Sequence, residues 1–366
     1  MSRSATWDYP LFYIATSLTV FGFFMLGSAS IGLVGRASVN PLTIIAKQVA
    51  LGGGLGFSLM LVASKLNYRL WCRFSIITLI LSSLLMLLVF APGIGFSHNG
   101  AARWILVGPF SFQPSEFFKL AFICYIAAWL ASRKEEIKSA EFGLLPFLTM
   151  TAIASVLFAM QPDIGTLGIV VVAAASLFFA GGGRIWHLFL AGLVIVVAAG
   201  AIIFAEPYRR ERVLTFINPQ SDVQDSGYQL HQAEIAIGSG GIFGRGFGES
   251  SQKFSYLPEA IGDSIFAVIG EEFGFIGLVA LIFLFLAFMW RAFLVLARVR
   301  DQFARLFGFG IVILIVSQSF FNMAALTGIL PLTGIPLPFV SQGGTSLAAT
   351  LMSVGILLNV SKYSSL

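Results

Sequence analysis

Residues 256–277, YLPEAIGDSIFAVIGEEFGFIG, place Glu259, Asp263, Glu271 and Glu272 at the edge of a long apolar run. Charged groups are costly near lipid, so these carboxylates are expected to find partners or do chemistry. Upstream, Arg103 precedes QPSEFFKL, which supplies Glu116 and Lys119; three residues apart, they can meet on one side of a helix. QPDIGT supplies Asp163, and RRER supplies Arg209, Arg210 and Arg212. Basic groups and scattered acids, with no histidine among them, suit transfer of a group away from a pyrophosphate. Arginines grip phosphate through paired hydrogen bonds, and a lysine or a divalent cation (Mg or Mn) neutralises further charge. One carboxylate near an acceptor hydroxyl serves as general base, and Asp263 is the candidate. Glycosidases pair two carboxylates because their leaving group needs a proton; a pyrophosphate leaves without one.

Each residue also has a structural reading. Asp263, before SIFAVIG, can cap a helix, which is compatible with catalysis, and Asp163 after Pro162 is an equally good cap. Glu116 and Lys119 can neutralise each other within the membrane. RRER can be a solvated loop or meet lipid headgroups. Glu271 and Glu272, two turns into the following helix, are expected to hydrogen-bond within the bundle. His98, His187 and His231 are scattered without metal spacing, and Cys72 and Cys124 form no zinc or redox pattern. GSGGIFGRGFG (238–248) lacks the GK[ST] ending of a phosphate loop and reads as permissive backbone near a bulky ligand. PLTGIPLPFVSQGGTS (331–346) suits a kinked re-entrant segment beside the site.

The elements that must position these groups lie in lipid. The chain of 366 residues is 57% hydrophobic and 11% charged, with mean hydropathy +0.90; a soluble domain carries about a quarter charged residues. The expected fold is all-α and polytopic, with ten transmembrane helices near 11–33, 43–63, 74–91, 116–132, 143–160, 164–181, 186–204, 263–290, 306–328 and 342–361. They form one integral-membrane domain, 1–366, without a cleavable signal peptide, with a large outer loop at 205–262 and a second, aromatic-rich one at 92–115. With the N-terminus inside, short inner segments hold Arg3, Lys65, Arg69, Arg73, Arg133, Lys134, Lys138, Arg184, Arg291, Arg298, Arg300, Arg305 and Lys362. Short outer ones hold Arg36, Lys47, Arg103 and Lys119, so the positive-inside rule places both termini in the cytoplasm. The net charge of +5 reflects this topology rather than nucleic-acid binding.

NGAARWI (99–105), FQPSEFFKL (112–120), QPDIGT (161–166), YRRERVLTFINP (208–219), residues 228–277 and GILPLTGIPLPFVSQGGTS (328–346) occur in an order that resembles the SEDS family (shape, elongation, division and sporulation). GESSQKFSYLPEA is closer to its division branch, FtsW, than to its elongation branch, RodA. The resemblance implies a ten-helix enzyme of the bacterial inner membrane that polymerises lipid II, the undecaprenyl-pyrophosphate-linked disaccharide. It implies Asp263 as catalytic residue, and carries Arg103, Glu116, Lys119 and Asp163 over as matching motif positions. Two departures stand out: Gly262-Asp263-Ser264 where Thr-Asp-Phe is common, and Ser341-Gln342-Gly343-Gly344 where SYGG is common. On this reading the arginines of the large loop (Arg209, Arg210, Arg212) join Arg103 and Lys119 on the pyrophosphate, and Glu259 lines the entrance. The implied partners are a class B penicillin-binding protein that crosslinks the strands and other division proteins. A lipid II flippase and an elongation-type polymerase are the rival readings.

Overall fold

Asp8 starts the first helix: its carboxylate accepts the Leu11 N–H at 3.0 Å, with Pro10 in the first turn. The same device recurs at three further helix starts, with Asn40 before Pro41, Asp163 before Ile164 and Asp301 before Gln302. The computed structural model describes residues 6–33, 40–98, 101–108, 110–133, 136–187, 189–190, 192 and 226–364. Its helices are α1 (Tyr9–Ile31), α2 (Pro41–Lys65, π-helical from Gln48 to Leu55), α3 (Tyr68–Arg73), α4 (Ser75–Leu88), α5 (Pro114–Ser132), α6 (Ala140–Met160), α7 (Ile164–Ala180), α8 (Ser226–Ser239), α9 (Gln252–Ser255), α10 (Ile265–Leu296), α11 (Gln302–Leu326) and α12 (Gly344–Ser361). Seven are long and apolar enough to cross a bilayer, and α4 and α7 are shorter apolar helices. These coincide with nine of the ten expected spans; the remaining one, 186–204, falls almost wholly outside the described residues, as does the first part of the 205–262 loop.

The centre of the bundle is α11, which packs on α5, α7, α10 and α12. Helix α12 lies along α2 so closely that Gly355 faces the main chain of Met60, where no side chain would fit. The 92–115 loop is not irregular. It folds as a three-stranded antiparallel sheet of β1 (Gly95–His98), β2 (Ala101–Val107) and β3 (Phe110–Phe112), pairing Phe96 with Trp104 and Ile105 with Phe112. The all-α expectation therefore gains a small sheet at one end of the bundle. The large loop likewise contains α8, which packs on α10 and α11.

The two ends of the bundle differ. At one, the Asp8 carboxylate takes paired bonds from Arg291 (2.9 and 2.7 Å), and its N–H donates to the Ser361 hydroxyl. Asn359 and Lys362 bind the Ser64 carbonyl there. The other end, one α12 length away, carries the sheet, the 331–343 segment and Asp263.

Helix α10 is broken at Gly274, whose φ of 65° and ψ of −163° are non-helical. The glycine-rich stretch 238–248 repairs the break. Arg245 and Gly246 N–H groups donate to the Glu271 and Glu272 carbonyls at 3.0 Å. Phe275 and Ile276 donate to the Gly241 and Ile242 carbonyls at 2.8 and 3.2 Å. An apolar setting demands such partners. The permissive backbone expected there, with positive φ at Gly241, Gly244, Gly246 and Gly248, completes a helix.

Candidate active site

Asp263 sits on the turn that leads into α10, and three successive carbonyls of that turn are claimed from elsewhere. Ile261 accepts the Gln342 N–H at 2.9 Å, Gly262 accepts the Ser341 hydroxyl at 2.7 Å, and Asp263 accepts the Asn322 amide at 2.7 Å. The Glu259 carbonyl closes the turn from within, accepting from Gly262 and Ser264. Gln229 of α8 donates to Asp263 Oδ1 at 3.2 Å and to the Ser264 hydroxyl at 2.9 Å. The carboxylate lines a small, partly open pocket with Asn322, Leu326, Leu332, Thr333, Gly334 and Ile335.

The 331–341 segment is the hub. Ile335 packs its side chain against Gly165 at the start of α7, and its carbonyl accepts from Asn322 at 2.8 Å. The next carbonyl, of Pro336, accepts from Gln318 at 2.9 Å. Gln318 and Asn322, four apart on α11, share a face. Gln318 Oε1 in turn accepts from Lys119 Nζ at 2.8 Å, and the same ammonium meets Glu116 Oε1 at 2.9 Å. Both members of that pair are 5% exposed and line a second small pocket with Thr350 and Ser353. A polar path therefore runs from Glu116 through Lys119, Gln318 and the 335–336 backbone to Asn322 and the Asp263 carbonyl. Gln48 of α2 steadies the far end of the segment, accepting the Gly343 N–H at 3.0 Å.

Arg103 projects from β2 to the α6–α7 turn, where it binds the Gln161 and Pro162 carbonyls and stands 3.9 Å from Asp163. Asp163 caps α7 by accepting the Thr166 N–H, and its other oxygen is buried without a hydrogen bond. Glu259 is exposed on the turn before Asp263 and is not among the residues lining the Asp263 pocket. Arg209, Arg210 and Arg212 lie outside the described residues. Among the described residues no three His, Cys, Asp or Glu side chains converge as a metal site.

Glu271 and Glu272 brace the broken helix. Glu271 accepts from the Ser250 and Ser251 hydroxyls and the Ser251 and Gln252 N–H groups, with Arg245 at 3.1 Å. Glu272 pairs at 2.8 Å with Lys253, both wholly enclosed, and Ser28 of α1 joins them. Sequence reasoning missed Gln229, Gln318 and Asn322. The signal for the last two was a pair of amides at helical spacing inside an apolar span.

The family model of the FtsW, RodA and SpoVE cell cycle proteins matches residues 9–366. The chain belongs to that family. One relative is the probable peptidoglycan glycosyltransferase FtsW of Geobacter sp. (strain M18), 38% identical over 361 residues that cover 99% of this chain and 98% of that one. Stage V sporulation protein E of Bacillus subtilis (strain 168) is also 38% identical, over 98% of this chain and 97% of its own. Among solved structures, a chain from "Structural coordination of polymerization and crosslinking by a peptidoglycan synthase complex" superposes with a TM-score of 0.80 at 26% identity, covering 98% of both chains. The rod shape determining protein RodA of Thermus thermophilus gives 0.71 at 26% identity over 98% of this chain and 97% of that one. The family is one of membrane proteins, in keeping with the apolar helices of this chain.

Proposed function

We propose that this family member is a peptidoglycan glycosyltransferase that polymerises lipid II into β-1,4 glycan strands, with Asp263 as general base. The carrying observation is the Asp263 carboxylate lining a partly open pocket, on a turn held by Asn322 of α11 and by the neighbouring Ser341 and Gln342. Asp263 takes the proton from the acceptor's sugar 4-hydroxyl as that oxygen bonds to the anomeric carbon of the growing chain. The bond from that carbon to undecaprenyl pyrophosphate breaks, and inversion turns an α-pyrophosphate into a β link. Arg103, Lys119, Arg209, Arg210 and Arg212 hold the departing anion. Arg103 uses some of its five N–H groups on Gln161, Pro162 and Asp163, which leaves others for phosphate. Glu116 orients Lys119, Asp163 orients Arg103, and Glu259 borders the entrance.

The whole chain forms one integral-membrane unit in the bacterial inner membrane, with both termini cytoplasmic and Asp263 on the outer face. The basic residues around Asp8, Lys65, Arg291 and Lys362 support that orientation. A class B penicillin-binding protein is the proposed crosslinking partner, and septal wall synthesis the proposed setting. The test is strand formation from labelled lipid II by purified protein in detergent, where a flippase has no two sides to act between. Asp263→Asn should fold and lose about 10²- to 10⁴-fold in rate; strands made at the wild-type rate would refute the assignment.

A further inference from the structure

We propose that residues 241–247 form a membrane-inserted loop, whose apolar side chains dip into the lipid leaflet at the Asp263 end of the bundle, among acyl chains just below the headgroups. Main-chain bonds fix its depth. Helix α10 is tied to α1 twice, by Glu272 with Ser28 and by Arg291 with Asp8. The run from Glu272 to Arg291 covers roughly 30 Å at the helical rise, the thickness of a hydrocarbon core. Phe275 and Ile276 follow Glu272, so they lie about 5 Å inside the edge of that core. Their N–H groups donate to the Gly241 and Ile242 carbonyls at 2.8 and 3.2 Å, which holds the loop at the same depth. Phe247 is held beside them, its ring 6.3 Å from that of Phe273.

What the loop presents at that depth is apolar and uncovered. Phe243 is 81% exposed, and Ile242 and Phe247 are exposed with it, next to exposed Phe275 and Ile276. The patch continues along a membrane-spanning helix: Ile276, Phe283 and Trp290 recur every seven residues of α10, share one face and are all exposed. That continuity with the stripe that meets hydrocarbon makes lipid the occupant. The charge pattern agrees. Arg245, in the middle of the loop, turns its guanidinium back to Glu271 and the Ser251 hydroxyl, at the edge of the core. Aromatic side chains in the acyl region with a cation at headgroup level make an interfacial anchor. Insertion also keeps water, which competes for N–H and C=O groups, away from the bonds that mend the break at Gly274.

The test places a nitroxide at Phe243→Cys and, in a separate variant, at Ile242→Cys, so that one misfolded protein leaves the other to decide. The full chain, freed of its own thiols by Cys72→Ser and Cys124→Ala, is checked by melting in detergent and then reconstituted in nanodiscs of phosphatidylcholine and phosphatidylglycerol. Collisions of the nitroxide with oxygen, which enters hydrocarbon, are compared with those of a water-soluble nickel chelate. Phe283→Cys in mid-stripe and Glu259→Cys on the exposed turn give the lipid and water references. Both loop probes should show an oxygen-to-chelate ratio about fivefold or more above that of Glu259→Cys, because polar solutes partition poorly into hydrocarbon. A ratio equal to that of Glu259→Cys would put the loop in water and overturn the proposal. Rare collisions with both reagents would overturn it too, since protein, a second copy of this chain, would then cover the loop. Either result leaves the base assignment of Asp263 untouched.

Discussion

Asn322 gives both hydrogens of its amide to main-chain carbonyls, those of Asp263 and Ile335. A buried carbonyl deprived of its donor costs about 1–3 kcal/mol. Asn322→Ala is therefore expected to lower stability by about that much and to slow polymerisation, checked by melting in detergent and by lipid II turnover. Lys253 and Glu272 present a harsher case, since neither touches solvent. Lys253→Met strands a buried carboxylate and should cost about 3–5 kcal/mol, much of it recovered when Glu272→Met is added; paired melting curves decide. The charged members of these networks were legible in the sequence because a charge in an apolar run is expensive enough to need a reason. Gln229, Gln318 and Asn322 were not, because a lone amide among apolar residues reads equally well as ordinary helix–helix glue.

Run length made most spans legible, since about 20 apolar residues cross a bilayer whatever their neighbours do. Elements set by tertiary contact were hidden. The buried stripe of α8 includes Ala233 and Ala236, which carry little hydrophobic signal, so the helix passed for loop. The sheet at 95–112 is built from strands of three to seven residues, too short for a clear alternation. The glycine-rich stretch showed its permissive backbone but not its use, which depends on a break forty residues from its start at most. At that break, Gly274 holds φ at 65°, and an added Cβ would stand 2.6 Å from the Ile242 carbonyl oxygen. Gly274→Ala should cost at least about 1–2 kcal/mol from the left-handed backbone alone. Faster hydrogen exchange at the Arg245 and Gly246 amides, beside a lower melting temperature, would register the loosened loop.

Across the molecule, α1 and α10 are tied at both ends, by Asp8 with Arg291 and by Ser28 with Glu272. From Asp8 to Ser28, and from Glu272 to Arg291, is roughly 30 Å at the helical rise, which matches the hydrocarbon core of a bilayer. On the orientation proposed above, Asp263 stands beyond the slab, at headgroup level. In a background of Cys72→Ser and Cys124→Ala, which removes the free thiols, Glu259→Cys should react with an impermeant maleimide from outside intact cells. Tyr363→Cys should react only after the membrane is opened. The reverse pattern would invert the orientation. The mended helix carries a further implication for biogenesis. Residues 241–246 leave the ribosome before 271–276, so the strip that supplies the missing acceptors is already made when Phe275 and Ile276 emerge. A chain truncated or re-ordered so that this strip is translated last would have to insert the open break unaided, and that step is where its assembly would stall.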